Sequence, residues 1–303
     1  MTMPGKIILL FALLLFPVGV RGAPSKALTK ERSWSAGALR FKLTGTDFQV
    51  QRDTVLVFSA TERLRQELDE TRMRASVQPW AALPTNKLSK ATYQVSVQPL
   101  AVVGTLLSFR LGGHTVIPGD ASDQPWEYVS TWDLAVAATT TMPRPDPRIS
   151  LLDFWPEADI LAALLDDDYV RKLLPKSSRP ESLAALWKLL DDDRPEPATG
   201  EDRCAYDVFL GESTLRAFAF LRVEESRVAL RLHMSGASEQ CRSAYKQLTI
   251  WLPIPEKLRE PLGRANPGED GYLLKDVERL GIPEYRLVTP LAELLRSPVR
   301  RRK

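Results

Sequence analysis

The sequence predicts an α+β protein: an antiparallel sheet with two central helices packed on it, preceded by a strand-helix-strand N-terminal part. Three observations carry this. Short runs such as Leu39–Leu43 and Val228–His233 alternate apolar and polar side chains, the period of a half-buried strand. Two longer runs place leucines at helical spacing behind capping signals. Strand-like pairs are joined by tight turn phrases, so they return antiparallel.

Residues 1–22 stand apart. Lys6 precedes the apolar run Ile7 to Val18, and Val20-Arg21-Gly22 supplies a cleavage site, the pattern of an export signal cut between Gly22 and Ala23. The alternative, an uncleaved anchor, needs an apolar stretch of about 20 residues and finds a shorter one. No later segment is long and apolar enough to cross a bilayer. The remainder divides into an N-terminal strand/helix subdomain (23–111), a main α+β domain (112–260) and C-terminal helices with a basic tail (261–303).

With 44% hydrophobic and 26% charged residues, the chain can fill one large or two small cores. Loss of residues 1–22 removes Lys6 and Arg21, leaving 39 basic against 38 acidic residues. The mature chain is therefore near neutral, and a basic end on an exported protein is poor evidence for a nucleic-acid partner. The tail Arg300-Arg301-Arg302-Lys303 is either a solvated terminus or an electrostatic anchor.

Ala23 to Gly37 reads as a loose lead-in. Leu39 to Gln51 and Val55 to Phe58 read as strands, followed by a capping box at Ser59-Ala-Thr-Glu62 that opens a charged surface helix to Met73. Tyr93–Val97 and Val102–Leu111 are the next extended pieces, broken by Pro99 and Gly104. A turn at Gly112-Gly-His114 leads to the strand Trp126–Leu134, and Ala135 to Arg148 reads as a proline-rich loop. Pro156 starts a helix to Leu174 with Glu157 and Asp159 in its first turn, where the helix dipole favours acids. Asp167 and Asp168 stand four residues before Arg171 and Lys172 as ion pairs. A second helix starts at Ser178-Arg-Pro-Glu181, with Leu183, Leu186, Trp187 and Leu190 as its stripe. The C-terminal sheet begins with Cys204 to Leu210, continues as Leu215–Val223 and Arg227–His233 around a Glu224-Glu-Ser226 turn, and ends with Gln247–Leu252. Leu273–Leu280 and Leu291–Arg296 are short helices.

Cys204 and Cys241, an even pair in an exported chain, predict one disulfide. Closing a loop of about 37 residues, it would contribute roughly 3–4 kcal/mol. Two free thiols are the alternative. Zinc finds no close-paired ligands among His114, Cys204, His233 and Cys241, and no cofactor motif is present.

The order of pieces resembles the domain-of-unknown-function family found in the extracellular part of the anti-sigma factor RsiV. Gly104-Thr-Leu-Leu-Ser-Phe109 is similar to that family's strand before a Gly-Gly-Ala-His turn, here Gly112-Gly-His114 without the alanine. Thr131-Trp-Asp-Leu134 resembles its "Phe-Asp-Leu" strand, and Ile149–Pro156 its lead into a helix. Val228–His233 and Leu248–Pro253 resemble its closing strands. The similarity covers about residues 93–258. It implies an exported α+β domain with no known catalytic centre. The RsiV domain binds lysozyme, which implies recognition of a protein or of wall material.

Chemistry-bearing candidates are few. Gly112 and Gly113 permit close approach of a partner beside His114, and Trp132 lies on the neighbouring strand; these are the predicted binding residues. His233 ends an alternating strand on its polar, solvated face. The Asp166–Asp168 and Asp191–Asp193 clusters could hold calcium, but no Asp-x-Asp-x-Asp-Gly loop is present. Trp126, Trp132, Trp155, Trp187 and Trp251 could stack on sugars, although most sit on apolar stripes as core anchors. There is no Gly-x-Ser-x-Gly, phosphate loop or His-Glu-x-x-His. The expected function is therefore non-catalytic binding of a protein or peptidoglycan at the envelope. The alternatives are a secreted hydrolase using acids near Asp153 or Asp191, and an envelope factor anchored by its basic tail.

Overall fold

Alternation and tight turns build a meander first. The computed structural model describes residues 31–74, 79–119, 125–137, 147–192, 204, 209–234 and 246–296. Strands β1 (Arg32–Ala36), β2 (Leu39–Leu43), β3 (Phe48–Arg52) and β4 (Val55–Ser59) pair antiparallel in sequence order. β1 falls where the sequence reads as a lead-in. Its alternation is carried by Trp34 and Ala36 alone, and Trp34 stacks on Phe41 at 5.2 Å. Ser59 then caps α1 (Ala60–Arg74), accepting from the Glu62 amide at 3.1 Å, while Asp47 accepts from Ser59 and from the Thr61 amide. A short 3-10 turn (Pro79–Ala82) and the single turn α2 (Thr85–Leu88) lead into the second sheet.

The second sheet has the order β11-β5-β6-β7, with β5 (Thr92–Val103), β6 (Leu106–Val116), β7 (Trp126–Asp133) and β11 (Tyr285–Pro290), all antiparallel. β5 does not break at Pro99. A bulge between Pro99 and Ala101 absorbs the missing donor, and β11 pairs only as far as Val97, so no ladder bond is asked of the proline. β6 runs unbroken through residues 111 and 112, where the sequence placed a domain boundary. Gly112-Gly113-His114 is therefore strand and not turn.

α3 (Leu134–Ala137) follows β7. Of the predicted Ala135–Arg148 loop, 138–146 lie outside the described residues; Arg148 bridges back to Trp132. The predicted helix from Pro156 is two helices, α4 (Glu157–Asp166) and α5 (Asp168–Lys172). Asp167 breaks it: its backbone is extended, and its carboxylate caps α5 by accepting from the Tyr169 and Val170 amides at 2.9 and 3.1 Å. Arg171 pairs with Asp168 instead. α6 (Leu183–Asp192) starts four residues later than the Ser178 signal, because Ser182 accepts from the Ala185 amide and Glu157 of α4 accepts from the Leu183 amide at 2.7 Å.

The third sheet, β10-β9-β8, contains β8 (Phe218–Glu224), β9 (Arg227–Met234) and β10 (Lys246–Pro253). The Glu224-Glu-Ser226 turn joins β8 to β9 as predicted. Most of the predicted strand at Cys204–Leu210 lies outside the described residues, and Leu210 is not in a strand. α7 (Glu256–Ala265), α8 (Val277–Leu280) and α9 (Leu291–Arg296) complete the chain. Among the described residues, no helix is long and apolar enough to cross a membrane.

The second sheet is the middle layer. Leu107, Phe109 and Leu111 of β6 face a core shared with Phe41, Phe48, Phe58 and Leu64 of the first sheet and α1. On its other face, Ala101, Val103 and Leu106 join the core of the third sheet, where Phe218, Leu230 and Ile250 meet Ile160, Leu164 and Leu186 of α4 and α6. Trp155 anchors this second core, donating to the Pro253 carbonyl at 2.7 Å. The two predicted helices thus do cover a sheet. Beside that shared core, a small separate apolar cluster of Leu100, Val129 and Ala219 also lies between the second and third sheets. A polar contact supplements it: Thr131, itself bonded to Ser108 within the middle sheet at 2.8 Å, donates to the Phe218 carbonyl.

Candidate functional site

Strand parity assembles the site. Arg110, Gly112 and His114 share one face of β6, and their register partners share it: Gln98, Ser96 and Gln94 on β5, Val129 and Glu127 on β7. Across β5, Arg286 and Val288 of β11 stand opposite Ser96 and Gln94, with Glu284 just before the strand. The third sheet lies over part of this face: β8 rests on β5, β6 and β7, and β9 on β7. Along β9, Val228, Leu230 and Leu232 are buried in the helix-covered core, as the alternation predicts. Arg227, Ala229, Arg231 and His233 take the opposite side, toward the middle sheet.

Arg110 is the hub. Its side chain is 33% exposed. It donates to Gln98 Oε1 at 2.8 Å and lies 3.5 Å from both Glu127 Oε2 and Glu284 Oε1. Arg286 Nε holds Glu284 at 2.9 Å from the other side. Burial pushes the Glu284 carboxyl up. Hydrogen bonds from Arg286 and Ser96, with the fields of Arg286 and Arg110, outweigh it and leave the group below its ordinary value. Glu127 ends above its ordinary value because burial exceeds the pull of Arg110 and Arg231. Burial likewise lowers Arg231, against the field of Glu127 and with that of Arg110.

His233 corrects the sequence expectation. It is 4% exposed rather than solvated, because the polar side of β9 faces β7 and not water. Burial lowers its imidazole to about 4, against a smaller upward pull from the Glu127 backbone. Its Nδ1 is 3.8 Å from Glu127 Oε1, beyond the reach of an acid–base hydrogen bond.

The four predicted binding residues do not come together. Gly112 and His114 lie on the polar face; Gly112 is buried there, and a Cβ on it would meet the Trp126 carbonyl oxygen at 3.1 Å. Gly113 and Trp132 are on the opposite, core-facing side. A Cβ at Gly113 would stand 2.8 Å from the Trp126 indole, which lies over that backbone and donates to the Tyr93 hydroxyl at 3.0 Å. Trp132 packs edge-on against Phe109 at 4.9 Å and Phe58 at 5.9 Å. Half-buried, it packs on the edge of this core. Replacing Gly113 with Ala displaces the indole and should cost about 1–3 kcal/mol of unfolding free energy in a urea titration, as overpacking does.

Arg110, Glu127, Arg231 and Glu284 were not singled out by the sequence. The available signal was a charge in the middle of an apolar strand, as in Leu107-Ser-Phe-Arg-Leu111 and Val228-Ala-Leu-Arg-Leu232. Other candidates are otherwise engaged. Asp153 accepts from the Ser150 amide at 2.7 Å as a cap, Asp167 caps α5, and Asp191 and Asp192 close α6. Asp193 and Cys241 lie outside the described residues, so neither the second acidic cluster nor the Cys204–Cys241 pairing is described in full. Among the described residues, no group of three or more His, Cys, Asp or Glu side chains is placed to hold a metal ion. A cleft of about 320 Å³ on the solvent face of the first sheet is lined by Ser33, Ser35, Arg40, Lys42 and Gln51, and there Lys42 already pairs with Glu31 at 3.0 Å.

Compared with known protein families, curated proteins and solved structures, the chain matches none.

Proposed function

We propose that this is an exported binding protein of the cell envelope, holding a protein or cell-wall component on the open polar face of its middle sheet without catalysis. One observation supports it most. Arg110 is held in place by three acceptors on three different strands or their ends, yet remains partly exposed on the same face of β6 as Gly112 and His114. An arginine whose rotamer is already fixed loses little conformational entropy when a ligand docks, so more of the contact energy appears as affinity. The leader-like segment at residues 1–22, the even pair of cysteines at 204 and 241, and the resemblance to the lysozyme-binding part of RsiV agree with export and with recognition. The buried His233–Glu127 pair, separated by 3.8 Å, favours a structural role over a reactive one.

The test is retention. Immobilised exported protein is exposed to periplasmic extract, to purified wall and to lysozyme. The proposal expects at least one of the three to be held after washing at physiological salt. Failure to hold any of them overturns it.

A further inference from the structure

We infer that Arg231, on the side of β9 turned toward the middle sheet and its Arg110 cluster, holds a single carboxylate group of the bound ligand; this rests on the binding reading above and names the chemistry it would recognise. Charge and hydrogen-bond inventory carry the inference. Arg110, Arg231 and Arg286 face two carboxylates, Glu127 and Glu284. Arg286 is engaged by Glu284, and Arg110 by Gln98, Glu127 and Glu284. Arg231 senses Glu127 and Arg110 electrostatically, but among the described residues it makes no hydrogen bond and no direct ion pair. None of its nitrogens is sealed from solvent without a partner. A guanidinium offers five donors in a rigid fork, and here they are half-buried, reachable and unused.

The surroundings suit the same group. Register places exposed Thr249 of β10 beside Arg231 and exposed Gln247 beside His233 on the same side of the sheet, adding hydrogen-bonding side chains at the rim. Two residues along β9 from Ala229, Arg227 lies over the Trp251 ring at 5.7 Å, and Arg222 lies over it at 5.1 Å. At this rim Arg222 is already paired with Glu224 at 3.1 Å. Among Arg110, Arg231, Arg286, Glu127 and Glu284 one positive charge is left over, which sets the ligand's charge at this point: a monoanion neutralises it, whereas a dianion would place its second charge against Glu127 and Glu284. A carboxylate's two coplanar oxygens match the guanidinium fork.

The decisive experiment is an NMR titration of the exported protein, following arginine side-chain Nε–H signals. N-acetylglycine is the probe, with its neutral methyl ester and dimethyl phosphate as comparators. The expected result is a saturable shift of Arg231 and Arg110 with N-acetylglycine. The ester and the phosphodiester should bind at least tenfold more weakly, and Arg231→Gln should lose at least tenfold in affinity while Arg259→Gln, on exposed α7, loses none. No saturable shift, equal binding of acid and ester, tighter binding of the phosphodiester, or unchanged affinity in Arg231→Gln each overturns the inference. If Arg231→Gln fails to fold, the wild-type shift map decides, since shifts confined to other arginines also overturn it. Loss of carboxylate binding while envelope material is still retained removes this inference alone. Carboxylate binding with nothing retained from the envelope removes the binding-protein reading and leaves the subsite.

Discussion

Gly271→Ala should lower the unfolding free energy by about 3 kcal/mol or more, the sum of forced overpacking and lost backbone hydrogen bonds. A Cβ at this position would meet the Val102 carbonyl oxygen at 2.2 Å and its carbon at 3.1 Å. Those are backbone atoms of the middle sheet, so no side chain can swing away. The neighbouring bridge joins Tyr272 to Val102 through two hydrogen bonds, 2.8 and 3.2 Å long, and the Tyr272 ring is fully buried against Trp34 at 5.8 Å. Arg32 of β1 donates to the Gly268 and Gly271 carbonyls, so the first sheet is tied to the same segment. Urea unfolding followed by tryptophan fluorescence measures the loss. A change under about 1 kcal/mol, the size of an ordinary surface substitution, would mean that this segment is not held as described.

Acidification should be the second large effect, with His233 as a main source. The folded imidazole sits near 4, below its unfolded value of about 6.5. A depressed histidine stabilises the fold above its unfolded pKa. That contribution is lost as pH falls from about 6.5, where the unfolded chain takes up the proton, to about 4, where the native state does as well. The loss over this window is about 3 kcal/mol. Glu127, whose carboxyl is raised, acts in the opposite sense, and the charged groups that face His233 beside it are Arg231 and Arg110. Measuring stability against pH for wild type and His233→Gln isolates the histidine. The difference between the two curves should change by about 3 kcal/mol between pH 7 and pH 4, and parallel curves would show that the imidazole is not buried in its neutral form.

Much of this fold was legible in the residues. Leu39–Leu43 and Val228–Leu232 declare their faces by strict alternation, and Ser59-Ala-Thr-Glu62 declares the start of α1. What failed to show has physical reasons. β1 and β11 are short edge strands whose burial depends on partners far along the chain: Trp34 on Phe41 and Tyr272, and Tyr285 opposite Val97. α7 carries Pro261 inside it, which argues against a helix in sequence terms. The break at Asp167 is a choice between an ion pair and a cap, and the two are equally available to an Asp-Asp-Asp run.

The site was less legible than the fold for a related reason. Strand alternation gives which side a residue takes, but not whether that side meets water or another sheet. His233 and Arg231 look like solvated residues until β7 is placed over them. Gly112 and Gly113 look like one turn until β6 is seen to continue, whereupon a single peptide unit separates a position on the polar face from the seat of Trp126. The polar cluster thus depends on the stacking of two sheets, to which residues from positions 98, 110, 127, 231 and 284 contribute.

The central claim is that this inter-sheet face, ordered around Arg110, is the working surface of the protein. Retention of envelope material by wild type and by Arg110→Gln, compared at equal folded concentration, tests it most directly. The account predicts at least a tenfold lower retention by the variant, with wild-type binding that weakens as salt rises. Equal retention by the two folded proteins would contradict it.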